Sequence, residues 1–399
     1  MGIGNRKILF VGAGPAQTSA IRHSRDIGFV PYAADANPHA QGFEWAKAFE
    51  VGDIRDANFV TECARRFDVD AIVAIATDVA VPSVAKACAV LGLSAIPVEA
   101  AEISVNKLLQ RKSFEAAGLR VPRFSAFKGV DDAKRSVESI GLPVVVKPSD
   151  SAGSRGVRLV LNQDEIAQAA EEALAVSRSG MGIAEEYIDG VEVSVEGFVV
   201  DKEFHVICLS EKTRTPPPFL LDTEVHFPDT LSAAERNNVV AVAKAAVAAC
   251  KLDNCPVHME VLRSPNGPLV VELAARGAGF RVFTDILPHV TGLDTVDIQI
   301  RIALGEHPKI LSPDILKGAV IVFVSPIPGR LKQVTGIESA RMMPGVREAE
   351  IYVRPGDTLG TLRCGADRIG HLMIFGKDRQ EADERARTAI ASIQLVVAP

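Results

Sequence analysis

The chain has 399 residues, more than one ordinary core holds, so two or three domains are expected. With 47% hydrophobic and 24% charged residues it has a well-cored globular composition, which excludes a disordered chain. A net charge of −6 supplies no basic field for nucleic acid or an anionic membrane.

Residues 6–11, RKILFV, read as a buried strand, with no signal-type apolar run before it and no span-length apolar run anywhere. GAGPAQ turns into a helix from about Thr18 to Ile27, and FVPYAAD is a second strand ending at Asp35. Gly12 and Gly14 suit the tight turn of a βαβ unit, but Gln17 stands where a dinucleotide fingerprint has its third glycine. Asp35 falls near the spacing of a ribose-binding acid, so an NAD-dependent oxidoreductase stays open beside a Rossmann-like domain that binds no dinucleotide. Further strands are expected at 70–75 and 91–97, giving a parallel, helix-covered sheet. The six cysteines (Cys63, Cys88, Cys208, Cys250, Cys255 and Cys364) show no metal-binding spacing and suit reduced thiols in a cytoplasmic protein.

A boundary is expected near residue 105. The helix that follows carries Lys107, Arg111 and Lys112, which alone read as a solvated face. In 141–160 the apolar strand VVVK delivers Lys147 beside a small-residue loop. Ser151, Gly153, Ser154 and Gly156 there let backbone N–H groups approach an anion, and an apolar strand seldom ends in an unpaired lysine, so phosphate binding is favoured over a plain hairpin. A helix from about Gln163 precedes two short strands joined through Asp189 and Gly190; Glu192, Ser194 and Glu196 share a face that alone reads as solvent-facing. Residues 211–231 look irregular around Pro216–Pro218, with Lys212, Arg214 and His226 as polar features of a pocket-shaping loop. Ser232 and Glu235 then form a capping box on the next helix.

Residues 257–281, VHMEVLRSPNGPLVVELAARGAGFR, read as a β-hairpin. A five-residue loop SPNGP puts Arg263 opposite Leu269, Glu260 opposite Glu272 and His258 opposite Ala274, with Met259, Val261, Val271 and Leu273 on the apolar face. Opposed carboxylates repel. Either one is protonated with a raised pKa, or a divalent cation lies between them, and Mg²⁺ suits one or two carboxylates plus phosphate oxygens. Arg276, followed by Gly277 and Gly279, is a ready clamp for an oxyanion. Beyond about residue 305 strands, turns and a final helix recur, and Asp367 with Arg368 reads as a surface pair.

In this order the features resemble the ATP-grasp superfamily, specifically its carboxylate–amine ligases. The L-amino-acid ligases are nearest; biotin carboxylase and the formate-dependent purine ligase lie further off. The resemblance implies an α/β fold of the α+β grasp kind: a Rossmann-like pre-ATP-grasp domain at 1–105, a two-part ATP-grasp domain at 106–305 with its lid at about 115–185, and a C-terminal α/β domain at 306–399. It implies that Lys107 and Lys147 meet ATP phosphates and that the loop with Ser151, Gly153, Ser154 and Gly156 closes over them. Glu185, Glu186, Tyr187 and Ile188 become the adenine hinge and Glu192 the ribose ligand, while Glu260 and Glu272 hold Mg²⁺. Arg276 becomes the residue that steadies an acyl phosphate; Lys212, His226, His258, Gly277 and Gly279 join it around the substrate. Ala274 departs from the family's frequent asparagine, which leaves one or two Mg²⁺ ions open. The implied reaction is amide or peptide bond formation from small-molecule carboxylate and amine, with ATP consumed and no nucleic acid or membrane involved. A homodimer is common in such ligases. Bicarbonate activation in the manner of biotin carboxylase is the runner-up.

Overall fold

The computed structural model describes residues 5–311 and 316–398. Strands Lys7–Val11, Val30–Asp35, Phe49–Val51 and Ala71–Val73 form a parallel sheet in the order third, second, first, fourth. Helices Pro15–Asp26, Ala57–Phe67 and Val81–Leu91 pack around it. The expected strand at 91–97 is absent: the helix stops at Gly92, and the chain runs unpaired into helix Val98–Ser104. The features that suggested a dinucleotide are consumed within the fold. Gln17 is buried and donates to the Ile75 carbonyl at 2.7 Å. Asp35 accepts from the N–H groups of Ala13 and Asn37 at 2.7 and 2.8 Å, so its carboxylate tightens the turn rather than facing a ribose.

Residues 124–186 form a small four-stranded antiparallel sheet, ordered Phe124–Phe127, Gly182–Glu186, Val144–Pro148, Arg158–Val160. Helices Val130–Ile140 and Ile166–Val176 complete a core of its own around Phe127, Val146 and Ala169. The chain then passes through residues 187–190 into strand Val191–Val200, the third strand of an eight-stranded antiparallel sheet. That sheet starts with the hairpin strands Gly267–Ala274 and Cys255–Ser264. Beyond Val191–Val200 it continues through Glu203–Arg214, Asp222–Phe227, Gly318–Val324, Gly370–Gly376 and Val346–Ile351. Thus about half of 211–231, expected to be irregular, lies in strands; Thr215–Leu221 around the prolines and residues 228–231 do not. Pro lacks the N–H that a ladder needs, whereas Thr223, Val225 and Phe227 supply strand-forming residues after the turn.

The hairpin register carries a correction. Its loop is only two residues, Pro265 and Asn266, so Arg263 pairs with Pro268 and not Leu269. A bulge at Val271 restores the offset, and Glu260 does pair with Glu272 and His258 with Ala274. The extra residue also swaps the faces: Val270, not Val271, joins Met259, Val261 and Leu273 in the core beneath helix Ala233–Ala249. Val271 lines the opposite, cleft side with Glu260 and Glu272.

The capping box at the start of that helix is formed: Ser232 Oγ accepts from the Glu235 N–H at 3.3 Å and Glu235 accepts from the Ser232 N–H at 3.0 Å. Ser232→Ala is expected to cost about 1 kcal/mol, read as a lower denaturant midpoint with an unchanged slope.

Candidate functional site

A cleft separates the small sheet from the hairpin. Its walls carry Val145, Lys147 and Val157 on one side and Leu262, Leu269, Val271, Glu260 and Glu272 on the other. The connection 187–190 closes one end. There the N–H groups of Glu186 and Tyr187 are spent on the carbonyls of Arg123 and Pro143, at 2.8 and 3.1 Å, and the Glu186 carboxylate pairs with Arg123. Ile188 follows them on the cleft wall.

The charged residues of the cleft are tied to one another. Arg111, 1% exposed, grips Glu185 through Nε and Nη2 at 2.8 and 3.1 Å and also donates to the carbonyls of Val270 and Val271. Lys147 Nζ lies 2.7 Å from Glu185 Oε2, the oxygen that Arg111 Nη2 also holds. Sequence reading made Glu185 a hinge residue and Arg111 a solvated one. Arg111 and Glu185 are instead a buried strut that positions Lys147 and pins the lid sheet to the hairpin. Burial works against the Glu185 charge, but Arg111 and Lys147 together hold its carboxyl at about 2. Burial pushes the Lys147 ammonium down, with Glu185 countering.

Lys107 is likewise buried and not a solvated base. Asn106 caps its helix and aims it inward, so that Nζ reaches the Ser151 carbonyl at 2.8 Å and Glu272 at 2.7 Å. Ser151 Oγ is buried without a partner. Ser151 and Ser154 line the cleft. Gly153 faces the neighbouring cavity, and Gly156 faces neither, because a Cβ there would lie 2.7 Å from Val176 on the lid helix.

That second cavity, about 540 Å³, opens on the far side of Glu260 and Glu272, which line both spaces. Lys212 stands at the junction, bonded to Glu192 at 2.8 Å, to Asp222 at 3.3 Å and closely to Glu260. Burial lowers the Lys212 pKa but the three carboxylates lift it well above its ordinary value. Glu192 is shared with Arg214 at 2.9 Å. The face expected to meet solvent is therefore the floor of the site: Glu192, Ser194 and Glu196 are 4%, 1% and 2% exposed. His258 Nδ1 lies 2.6 Å from Glu196, and Nε2 is 3.9 Å from Glu260.

Arg276 lines the cavity and is gripped by Asp78 of the first domain, at 2.9 and 3.0 Å. Asp78 went unrecognised in the sequence, where it ends a strand without a motif around it. Two expected substrate residues lie elsewhere. Gly277 lines neither space: a Cβ there would fall 2.2 Å from Phe283, so the position serves packing, while Gly279 faces the cavity. His226 points away, 2.8 Å from Asp383 on the last helix and 3.0 Å from Glu224. Alternation along strand Asp222–Phe227 sends Val225 and Phe227 to the cavity and His226 to the other face. Among the described residues no three His, Cys, Asp or Glu side chains converge on a single metal position.

Comparison with known proteins bears on this geometry. Residues 140–285 match the ATP-grasp domain family and residues 321–398 the L-amino acid ligase C-terminal domain 2 family. The chain carries an ATP-grasp domain and an L-amino acid ligase C-terminal domain. The uncharacterized protein y4rH of Sinorhizobium fredii is 26% identical over 391 residues, which is 96% of this chain and 80% of that one. Alanine–anticapsin ligase of Bacillus subtilis is 29% identical over 264 residues, 60% of this chain and 55% of that enzyme, so the match spans little more than half of it. The L-amino acid ligase of Bacillus licheniformis superposes with a TM-score of 0.86 at 19% identity over 99% of each chain. Biotin carboxylase of Campylobacter jejuni reaches 0.71 at 18% over 98% of this chain and 92% of that one. At such identities the superpositions speak to fold.

In this ATP-grasp domain Glu185 has a folded pKa below its unfolded one. It stabilises the fold above about pH 4.5 and loses that contribution as pH falls toward about 2. Glu185→Gln is expected to lower neutral-pH stability by about 3–5 kcal/mol, since it leaves buried cations unpaired. It should also flatten the acid limb of stability against pH over that window, measured by denaturant titration at each pH.

Proposed function

We propose that the enzyme joins the carboxylate of one small molecule to the amine of another, both amino acids, through an acyl phosphate. The observation that carries this reading is that Glu260 and Glu272 line the nucleotide cleft and the second cavity at once. Phosphoryl transfer needs its acceptor in line with the γ-phosphate, and a shared wall of carboxylates is where the two spaces meet. We assign the adenine to the hinge at Glu186, Tyr187 and Ile188, and the phosphates to Lys107, Lys147, Ser151 and Ser154. Residues 106–305 form the nucleotide-binding unit, with 1–105 and 306–399 flanking it. The free, mostly buried cysteines agree with a cytoplasmic setting.

The residues fit Mg²⁺. Two opposed carboxylates, each neutralised by a lysine, match a cation that takes one or two carboxylates and completes its shell with phosphate oxygens and water. Ala274 offers no ligand, so Glu260 and Glu272 are the protein's whole contribution. Bound there, Mg²⁺ neutralises charge on the transferring phosphoryl group.

Around it the chain's own groups position and shield. A substrate carboxylate oxygen attacks the γ-phosphorus and ADP departs. The amine nitrogen then attacks the acyl carbon, the C–N bond forms, phosphate leaves with the acyl C–O bond, and the amine gives up a proton. Arg276, held rigid by Asp78, faces the oxyanion of the second step. Water would hydrolyse the acyl phosphate, and the lid excludes it. Its loop is tied to the C-terminal part by the Gly365 N–H to the Gly153 carbonyl at 3.2 Å, and the Leu159 N–H bonds the Pro218 carbonyl at 2.8 Å. Bicarbonate activation is not favoured, since the matched C-terminal family is that of the amino acid ligases.

Lys147→Ala and Glu272→Ala are each expected to abolish ADP formation, assayed with Mg·ATP and paired amino acids, while circular dichroism stays that of the parent. Parental turnover in both variants rejects the assignment.

A further inference from the structure

Among the described residues two cations on the wall of the second cavity have no ion pair: Arg155, which is exposed, and Arg368, which is half-buried. Around its wall Arg276 is paired with Asp78, and Lys212 with Glu192, Asp222 and Glu260. His258 is paired with Glu196. Arg368 also lines this wall, and among the described residues no carboxylate oxygen comes within 4 Å of it. Its guanidinium lies 3.6 Å from the centroid of Phe323 and 5.2 Å from that of Phe280. One nitrogen donates to the Asp222 carbonyl at 2.7 Å, and Nε is buried with no acceptor. Asp367, expected to pair with it on the surface, instead accepts from the N–H groups of Arg363 and Cys364.

A guanidinium has five N–H donors in a fixed fork that matches a carboxylate. Contact with the Phe323 ring holds that fork in place. Burial depresses its pKa even with Asp222 nearby, which marks a desolvated charge awaiting a partner. The same cavity shows two further unanswered groups, the hydroxyls of Ser194 and Ser210, side by side on neighbouring strands and 1% and 0% exposed. Val225, Phe227, Val282 and Ile321 add apolar surface to its wall.

From this balance of charge we infer that Arg368 receives the non-reacting carboxylate of the amine substrate, which makes that substrate an α-amino acid, with an apolar side chain against the aromatic wall. The inference rests on the ligase reading above and names its second substrate. Arg368 lies on the C-terminal part, away from the phosphate lysines, so it selects the acceptor and takes no part in phosphoryl transfer. The proposal accounts for a half-buried arginine that the ATP chemistry leaves without a task.

The test compares wild type, Arg368→Lys and Arg368→Met with Mg·ATP. The amino acid pair that gives most ADP is chosen, and the amine partner is supplied either as the free acid or as its carboxamide. Wild type is expected to prefer the free acid at least tenfold in kcat/KM. Arg368→Met is expected to lower kcat/KM for the free acid about 10- to 100-fold, mainly through KM, and to erase the preference, with KM for ATP unchanged as the sign of an intact fold. Arg368→Lys is expected to recover part of it. A wild type indifferent to the carboxamide, or an Arg368→Met variant with the preference intact, overturns the inference while leaving the ligase reading in place. No ADP with any pair overturns the ligase reading and the inference with it.

Discussion

Glu260 and Glu272 face each other across two hydrogen-bonded strands, and the site is arranged around the cost of that pairing. Opposed like charges destabilise a sheet. Here the offset is supplied from two directions: Lys107 reaches Glu272 from the helix before the lid, and Lys212 reaches Glu260 from the next strand but one. Neither lysine could be aimed so without its own support. Asn106 caps the helix that carries Lys107, and Glu192 and Asp222 hold Lys212. In the chain alone the lysines supply the positive charge that nucleotide-bound magnesium supplies in the proposed reaction.

A second constraint is mechanical. The lid sheet has its own core, so its attachment to the hairpin depends on a few contacts. Arg111 supplies the central one, bridging Glu185 on the lid to the backbone carbonyls of Val270 and Val271 on the hairpin. Because Val271 is the bulged residue, the deviation in the ladder that keeps Glu260 opposite Glu272 also presents carbonyls to Arg111. The positions of the small sheet, Lys147 and the two glutamates are thereby set through one connected group.

Much of this was legible in the sequence, for identifiable reasons. Period-2 alternation exposed the hairpin, and the apolar run VVVK exposed the strand Val144–Pro148 that carries Lys147. The glutamate register was reached through a loop three residues too long, and a bulge that left no mark in the sequence compensated. Burial of charge was the least readable property. Arg111, Glu192, Glu196 and Arg368 look like solvated residues one by one, because their partners come from distant segments: Glu185 lies 74 residues from Arg111, and Lys212 lies 20 from Glu192. His226 was misplaced because the prolines before it suggested a loop, whereas the strand that resumes at Asp222 turns it to the opposite face. Asp78 could have been found only by asking what holds Arg276, a question that needs the fold.

The central claim is that the opposed glutamates hold a nucleotide-bound divalent cation in place of the lysines they now pair with. A crystal structure with ADP and Mn²⁺, read by anomalous scattering, tests it most directly. The account predicts an anomalous peak within coordination distance of both Glu260 and Glu272, with Lys107 and Lys212 withdrawn toward phosphate and toward Glu192. Adenine bound in the cleft with no peak there, and both carboxylates still paired to their lysines, would contradict it.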